Sequence, residues 1–418
     1  MTKLLNWAGN LEYSTDDLIA AQSVAEVQSV VKNCESIKVL GTRHCFNDIA
    51  DSTTKLLSLR EMKGAWVTDS RTITVEGGIS YGELFPFLEE KKLALHNLAS
   101  LPHISIVGAC VTATHGSGDQ NGNLATAVSG LEFVTAEGDL RELSRDNDGE
   151  EFLGAVVNLG ALGVITKLTL DVGPTFQVQQ DVYENLPMEQ ACRHFDAIMA
   201  AGYSVSLFTD WQNKTIREVW LKRKVEDGAT LDRPREWYGA TLATEDLHPI
   251  AGLSAANCTE QRGIPGPWYD RLPHFRVGLT PSVGEEIQAE YFVDRRNAVD
   301  AMLAVERLKE AFKPLLMISE LRTIAADNLW MSPCYKRSSL AIHFTWVKDE
   351  QSVMKVLPVI ERELAPFQPR PHWGKLFTLA PAEIQSQYER LDDFRALLAK
   401  YDPKGKFRNR YLHRTIDG

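Results

Sequence analysis

The sequence predicts an α+β protein of two domains, the first of which is interrupted by the second. Three features lead to this prediction. Short strand-like and helix-like runs alternate over residues 1–173, longer strands with interleaved helices follow over 174–367, and a proline-rich stretch then opens a short tail at 368–418. A chain of 418 residues is too long for one compact core. The tail is too short to be a domain, so we expect it to complete the first one.

In the first domain, short apolar runs broken by glycine predict strands at 37–41, 72–78 and 163–172. The run SYGELFPFLEEKKLAL, at 80–95, is typical of a helix. Within 131–143, the letters AEGD separate LEFVT from LREL, and this pattern indicates a turn between two paired strands.

The second domain alternates longer strands with helices. Its predicted strands are SVSLFTDW, IREVWLKRKV, EIQAEYFV, LLMISELRTI and LAIHFTWV, and its predicted helices are NAVDAMLAVERLKEAF and DEQSVMKVLPVIEREL. This order favours a sheet with helices packed on one face. Three prolines in PFQPRPHWGK, at 366–375, predict a linker that returns the chain to the first domain.

Composition excludes several classes of function. A net charge of -11 disfavours nucleic acid and anionic membranes, whose binding requires clustered Lys and Arg. The N-terminus lacks the apolar run of a secretory signal, and the longest uncharged apolar stretch, 152–166, is too short to span a bilayer. Six scattered cysteines form no C-x-x-C pair, so we predict neither disulfides nor a metal site. We expect a cytoplasmic monomer.

Two loops have the composition of a cofactor site. In VLGTRHCFND, at 39–48, Gly41 permits backbone angles that turn consecutive N–H groups toward an anion. In SLPHISIVGACVTATHGSGDQNGN, at 100–123, small residues allow close approach of a bulky ligand and supply hydrogen bonds that suit a pyrophosphate. Each loop alone is also compatible with an exposed turn. Neither matches G-x-G-x-x-G or G-x-x-x-x-G-K-[ST], which argues against a Rossmann or P-loop site.

Two predicted strands carry polar pairs between apolar neighbours. Strand alternation places Glu320 and Arg322 on one face, and it does the same for His343 and Thr345. The alternatives are an exposed ion pair for the first two and a surface histidine for His343. Lys375 follows in the PHWGK turn. Carboxylate, guanidinium, ammonium and hydroxyl groups together can satisfy a row of hydroxyls, so these residues suit a polyol.

With these loops and strands, the chain resembles the vanillyl-alcohol-oxidase flavoprotein superfamily, and more closely its bacterial alditol (xylitol) oxidases. The similarity runs almost end to end. Besides the two loops, it is carried by NWAGN, GALGVIT, SVSLFTDW, NCTEQ, GPWYDRLPHFR, ELRTIAAD, HFTW, PHWGK and DPKGKF. The resemblance implies a PCMH-type FAD-binding fold, with a discontinuous FAD domain and a cap domain of antiparallel sheet flanked by helices.

The resemblance also implies roles for individual residues. His44 matches the histidine that bonds covalently to the flavin 8-methyl carbon, although Arg43 and Cys45 stand where a G-x-G-H-S-like turn is expected. Residues matching FAD-binding positions are Val39, Leu40, Gly41, Thr42, Arg43, His44, Cys45, Ser100, Ser105, Gly108, Thr112, Ala113, Thr114, His115, Ile165 and His372. Residues matching the polyol pocket are Ser100, Glu320, Arg322, Thr345 and Lys375, with His343 beside them.

The expected reaction is oxidation of a short alditol, such as xylitol or sorbitol, at its terminal carbon. A base removes the hydroxyl proton while a hydride passes to FAD, and dioxygen then accepts the electrons as hydrogen peroxide. His343 is the first candidate base and neutral Lys375 the second; charged Lys375 would instead stabilise negative charge. Alternatives are an aldonolactone oxidase or dehydrogenase and, less favoured, a non-catalytic flavin- or carbohydrate-binding module.

Overall fold

The computed structural model describes residues 4–226, 229, 231–278 and 285–417. Residues 1–3, part of the N-terminus searched above for a signal, lie outside these ranges. The strands are β1 (Leu18–Ala20), β2 (Lys38–Val39), β3 (Leu56–Ser58), β4 (Ala65–Val67), β5 (Thr72–Glu76), β6 (Leu93–Ala94), β7 (Val128–Val134), β8 (Leu140–Ser144), β9 (Val164–Asp171), β10 (Gly173–Pro174), β11 (Gln177–Pro187), β12 (Ser204–Thr209), β13 (Thr215–Val225), β14 (Glu236–Trp237), β15 (Ala240–Leu242), β16 (Gly266–Pro267), β17 (Glu286–Asp294), β18 (Leu316–Ile324), β19 (Ser339–Val347) and β20 (Arg370–Pro371).

The helices are distributed over both halves of the chain. They are α1 (Val24–Lys32), α2 (Tyr81–Glu90), α3 (Ile106–Val111), α4 (Arg145–Val156), α5 (Met188–Arg193), α6 (Phe195–Met199), α7 (Ala298–Arg307), α8 (Lys309–Phe312), α9 (Glu350–Leu364), α10 (Pro381–Gln385), α11 (Leu391–Tyr401) and α12 (Arg410–Leu412). Within the described ranges, none of them is long and apolar enough to cross a bilayer.

The N-terminal half is built on an antiparallel sheet in the order β4-β5-β9-β7-β8, beside a small parallel sheet in the order β1-β3-β2. The predicted hairpin is confirmed, because β7 and β8 pair from Gly130–Ser144 to Val134–Leu140. Gly138 in its turn has a φ of +80°, a conformation that glycine adopts without strain. Apolar residues of this half, including those of α2 and α4, form one large buried cluster.

The second half is built on a sheet in the order β14-β15-β11-β13-β12-β18-β19-β17-β20, with β16 also paired to β11. Its strands pair in antiparallel fashion. Apolar residues on one face of this sheet form a second buried cluster with helices α5 to α9. The predicted sheet with helices on one face is thereby confirmed, and its opposite face is free to carry polar groups.

Three predicted elements differ in detail from the structure. The helix predicted to reach residue 95 ends at Glu90, because Lys92 has a φ of +56° and the chain then forms β6, which pairs with β10. The helix predicted at 297–312 is divided at Leu308 into α7 and α8. The predicted linker contains β20, which pairs with Tyr291 and Phe292 of β17.

The C-terminal tail packs against the N-terminal half. Buried Phe407 belongs to the same apolar cluster as Leu57 and Val134. The Asn409 side chain donates hydrogen bonds to the carbonyl groups of Asp48, Ile49 and Asp51 at distances of 2.9 to 3.1 Å. These contacts agree with a discontinuous first domain, and the division at 173/174 and 367/368 stays a prediction.

Candidate active site

A cavity of about 650 Å³ reaches from the loop at 39–45 to the polar face of β17, β18 and β19. It collects most of the residues predicted for cofactor and substrate. The predicted residues that line it are Val39, Leu40, Gly41, Thr42, Arg43, His44, Cys45, Ser100, Ser105, Gly108, Thr112, Thr114, His115, Glu320, Arg322, His343, Thr345, His372 and Lys375. Ala113 and Ile165 do not line it, and their contact with FAD stays a prediction.

The end of the cavity near the two loops fits FAD. Among the described residues, the N–H groups of 41–45 donate no hydrogen bond to another backbone group. A Cβ atom on Gly41 or Gly108 would lie only 2.7 or 2.6 Å from Ser105 Oγ, so a larger side chain at either position would displace that hydroxyl. Free N–H groups and a close backbone approach are what a pyrophosphate requires. The cavity volume is also in the range of ligand sites, roughly 300–1,000 Å³.

His44 presents a neutral imidazole to this cavity. Burial, His103 and Lys375 lower its pKa to about 3. Its Nδ1 lies 3.3 Å from Nε2 of His103, and its ring lies 4.4 Å from that of Trp7. A neutral imidazole has one N–H and one nitrogen lone pair, so one of its two nitrogens can take part in the hydrogen bond with His103 while the other faces the cavity. Burial raises the pKa of adjacent Cys45 to about 12, so that thiol stays protonated.

The loop bearing His44 is tied to the turn bearing Lys375. The Phe46 N–H donates to the Gly374 carbonyl over 2.8 Å. The Asn47 side chain donates to the carbonyls of Trp373 and Lys375, both also at 2.8 Å. These bonds connect the loop of the predicted cofactor site to the turn that carries Lys375.

Strand register brings together polar residues that are distant in sequence. His343 of β19 pairs with Glu320 of β18 on one side and with Glu290 of β17 on the other. Thr345 pairs with Gln288 in the same way. Because alternate residues of a strand share a face, all five side chains lie on the cavity face of the sheet.

Glu290 is the centre of a buried cluster of charged groups. Its carboxylate lies 2.7 Å from Lys375 Nζ, 3.0 Å from Arg322 Nη2 and 3.1 Å from His115 Nε2. Burial opposes ionisation of this carboxyl, but Lys375, His115 and Arg322 hold its pKa well below the ordinary value. Glu290 therefore stays ionised and balances the positive charges around it.

His343 and Lys375 are in direct contact. Lys375 Nζ lies 2.8 Å from His343 Nδ1, and His343 Nε2 lies 3.1 Å from Thr345 Oγ1. Burial and Lys375 lower the pKa of His343 to about 4. Burial also lowers the pKa of Lys375, while Glu290 acts in the opposite direction. His343 is buried, which excludes the alternative of a surface histidine.

Glu320 and Arg322 are likewise buried, so the exposed ion pair considered for β18 is excluded. Glu320 Oε1 is 2.7 Å from His274 Nε2, whereas its Oε2 is 3.5 Å from Arg322 Nε, too long for a good hydrogen bond. Arg322 Nε has no hydrogen-bond partner in the described protein. Arg322 Nη1 lies 3.5 Å from Ser100 Oγ, which places that predicted residue beside the pair. Glu320 and Arg322 thus place a carboxylate and a guanidinium side by side in the cavity wall.

Sequence reasoning missed Glu290 and His274. The strand EIQAEYFV was predicted, and its alternation places Gln288 and Glu290 on one face, so a signal for Glu290 was available. His274 follows no such pattern, because it lies in an irregular segment whose position depends on the tertiary fold.

Comparison with known proteins extends these observations. Residues 16–144 match the model of an FAD binding domain, and residues 283–415 match that of D-arabinono-1,4-lactone oxidase. The cholesterol oxidase of B. sterolicum superposes with a TM-score of 0.79 over 99% of this chain and 96% of its own, at 15% identity. That likeness confirms the predicted fold class.

Sequence relatives cover the whole chain. An L-gulono-1,4-lactone dehydrogenase of Mycobacterium tuberculosis is 26% identical over 98% of both chains. An alditol oxidase of Streptomyces sp. is 45% identical over 100% of both. Identity at this level over the full length shows that the protein belongs to the FAD-binding alditol oxidase family.

Proposed function

We propose that the protein oxidises the terminal primary alcohol of short open-chain alditols, of the xylitol or sorbitol type, to the aldose. The observation that carries this proposal is the pair formed by Glu320 and Arg322, a carboxylate and a guanidinium that lie side by side in the cavity wall. A hydroxyl can accept from the guanidinium and donate to the carboxylate at once. A polyol offers several such hydroxyls, and the full-length likeness to an alditol oxidase supports this choice of substrate.

Lys375 is the residue best arranged to take the hydroxyl proton. His343 was the first candidate, but both of its ring nitrogens are engaged, one with Lys375 and one with Thr345. A neutral Lys375 can donate its two protons to Glu290 and His343, which leaves its lone pair for the substrate. His343 then acts by orienting Lys375. Thr345 and Ser100 line the same cavity and are proposed to hold the end of the alditol that is oxidised.

FAD is proposed to be covalently attached to His44. The loop at 39–45 and residues Ser105, Gly108, Thr114 and His372 would hold it. When bound, FAD supplies the hydride acceptor and passes the electrons to dioxygen, which leaves as hydrogen peroxide. A cytoplasmic location and a monomeric state belong to the same proposal as predictions.

The experiment is to offer xylitol, sorbitol and a γ-lactone to the purified holoprotein and to follow flavin bleaching without oxygen and peroxide release with oxygen. We expect both alditols to bleach the flavin and to release one peroxide for each aldose formed. Bleaching by the lactone alone would replace the proposal with an aldonolactone oxidoreductase. Bleaching by none of them would favour a binding protein.

A further inference from the structure

Behind the candidate substrate site, Lys222 of β13 is fully buried. Its Nζ has three acceptors: the Leu272 carbonyl at 2.6 Å, the Pro273 carbonyl at 3.0 Å and His274 Nδ1 at 3.2 Å. Three acceptors match the three protons of an ammonium group. Burial lowers the pKa of Lys222 to about 7, and the nearby Glu320 carboxylate acts in the opposite direction.

His274 connects this ammonium to the site. Burial lowers its pKa to about 4, so the ring carries one proton. Its Nε2 lies 2.7 Å from Glu320 Oε1, and an ionised carboxylate can only accept, so the proton must be on Nε2. Nδ1 is then bare and accepts from Lys222. The rings of Phe208 and Trp220, with centroids 5.4 and 5.2 Å from that of His274, pack against it edge-on and fix its plane.

We propose that Lys222 and His274 are positioning residues for substrate recognition. Lys222 fixes His274 in the Nε2–H tautomer, and this proton holds one oxygen of Glu320 so that the other is left for a substrate hydroxyl. The inference rests on the proposed function, since it assigns Glu320 to polyol binding. It explains why a lysine is buried in a strand without an acidic residue in hydrogen-bond contact with it.

The first test compares His274→Leu with His274→Gln, whose amide can donate to Glu320 as Nε2–H does. We expect His274→Leu to raise KM for xylitol and to lower kcat/KM about ten- to a hundredfold, as for loss of a hydrogen bond to a charged group. His274→Gln should recover most of this loss. If the histidine only fills space, leucine would serve at least as well as glutamine, and that result would overturn the proposal.

A second readout is discrimination between xylitol and a deoxy analogue that lacks an inner hydroxyl. The wild-type enzyme should reject the analogue strongly, and His274→Leu should narrow the ratio of the two kcat/KM values about tenfold. A general structural defect would lower both values together and leave the ratio unchanged. An unchanged ratio would therefore count against the proposal.

Lys222 is tested with a matched control on the same strand face. Lys222→Met should reproduce the KM effect of His274→Leu. Lys224→Met should leave KM for xylitol within twofold of the wild-type value, because Lys224 lies over the rings of Phe176 and Tyr203. Equal effects of the two methionine variants would contradict a specific role for Lys222.

Failure of the proposed function gives a separate result. If no polyol bleaches the wild-type flavin, the coupling of His274 to Glu320 is read from thermal unfolding midpoints of His274→Leu, Glu320→Ala and the double variant. The double variant should unfold at a higher temperature than the sum of the two single shifts predicts. Additive shifts would overturn the contact on which the inference depends.

Discussion

Lys375 Nζ lies 2.8 Å from His343 Nδ1, so the two candidate bases are joined by a shared hydrogen bond. The pH dependence of kcat at saturating xylitol should follow Lys375, because His343 has a pKa of about 4 and is neutral from pH 5 upward. We expect kcat to rise as Lys375 loses its proton, with an inflection below the ordinary lysine pKa of about 10.4.

Lys375→Met should abolish that inflection and lower kcat by about 10²–10⁴-fold, as for loss of a general base. His343→Gln keeps an amide beside Lys375 and should lower kcat less while the inflection remains. Steady-state rates from pH 5 to 10 measure both effects. An inflection that disappears in His343→Gln and remains in Lys375→Met would reverse the two roles.

Removing His44 should remove the covalent bond to the flavin. After His44→Ala, we expect the yellow colour to pass through a filter once the protein is denatured, whereas the wild-type colour should stay with the protein. His248→Ala is the control, since His248 lines the same cavity but its ring lies beside that of Phe275. Flavin that remained bound to denatured His44→Ala protein would place the attachment on another residue.

Neutralising Glu290 should destabilise the fold. Glu290→Gln leaves buried Lys375 without its counter-charge and leaves Arg322 with Glu320 alone, for which we expect a loss of about 3–5 kcal/mol in the free energy of unfolding. A carboxyl with a lowered folded pKa contributes stability above its unfolded pKa and loses it as pH falls through the folded value.

Because the unfolded pKa of Glu290 is about 4.3 and the folded value lies below it, the loss caused by Glu290→Gln should still be present at pH 5 as well as at pH 8. Urea unfolding of the wild-type protein and of Glu290→Gln at pH 5 and at pH 8 measures this difference in the free energy of unfolding. A difference that already vanished at pH 5 would mean that this carboxyl is not held ionised.

Crowding the cofactor loop should impair loading with FAD. In Gly108→Ala the new methyl group would lie 2.6 Å from Ser105 Oγ, so the hydroxyl of this proposed FAD-binding residue would have to turn away and the methyl group would narrow the cavity. We expect a lower ratio of flavin to protein absorbance in the purified variant. Gly173→Ala, where no atom lies within 4 Å of the added group, should load normally. Equal flavin loading of the two variants would contradict a close approach of FAD to Gly108.

The sequence was informative wherever function depends on local periodicity. Alternation along β18 and β19 was enough to place Glu320 with Arg322 and His343 with Thr345. It could not supply the register that sets His343 opposite Glu320, because that pairing joins strands through long-range contacts. The cluster around Glu290 depends on the same register.

Other elements were missed because their local pattern is ambiguous. β11, with the sequence QVQQDVYENLP, is rich in polar residues, yet most of it is buried between β13 and β15. Prolines near residue 370 favour a linker, and an edge position in a sheet is a place where proline is tolerated. In both cases the neighbouring strands, rather than the segment itself, decide the conformation.

The hydrogen bonds from Phe46 and Asn47 to the turn at 373–375 have a consequence for protein engineering. They hold residues 39–47 and 371–375 in a fixed position relative to each other, although more than three hundred positions separate them in the chain. A chimera that takes the first segment from a relative, but not the second, would change the position of Lys375 as well as that of His44. Segments exchanged between members of this family should therefore be transplanted as a pair.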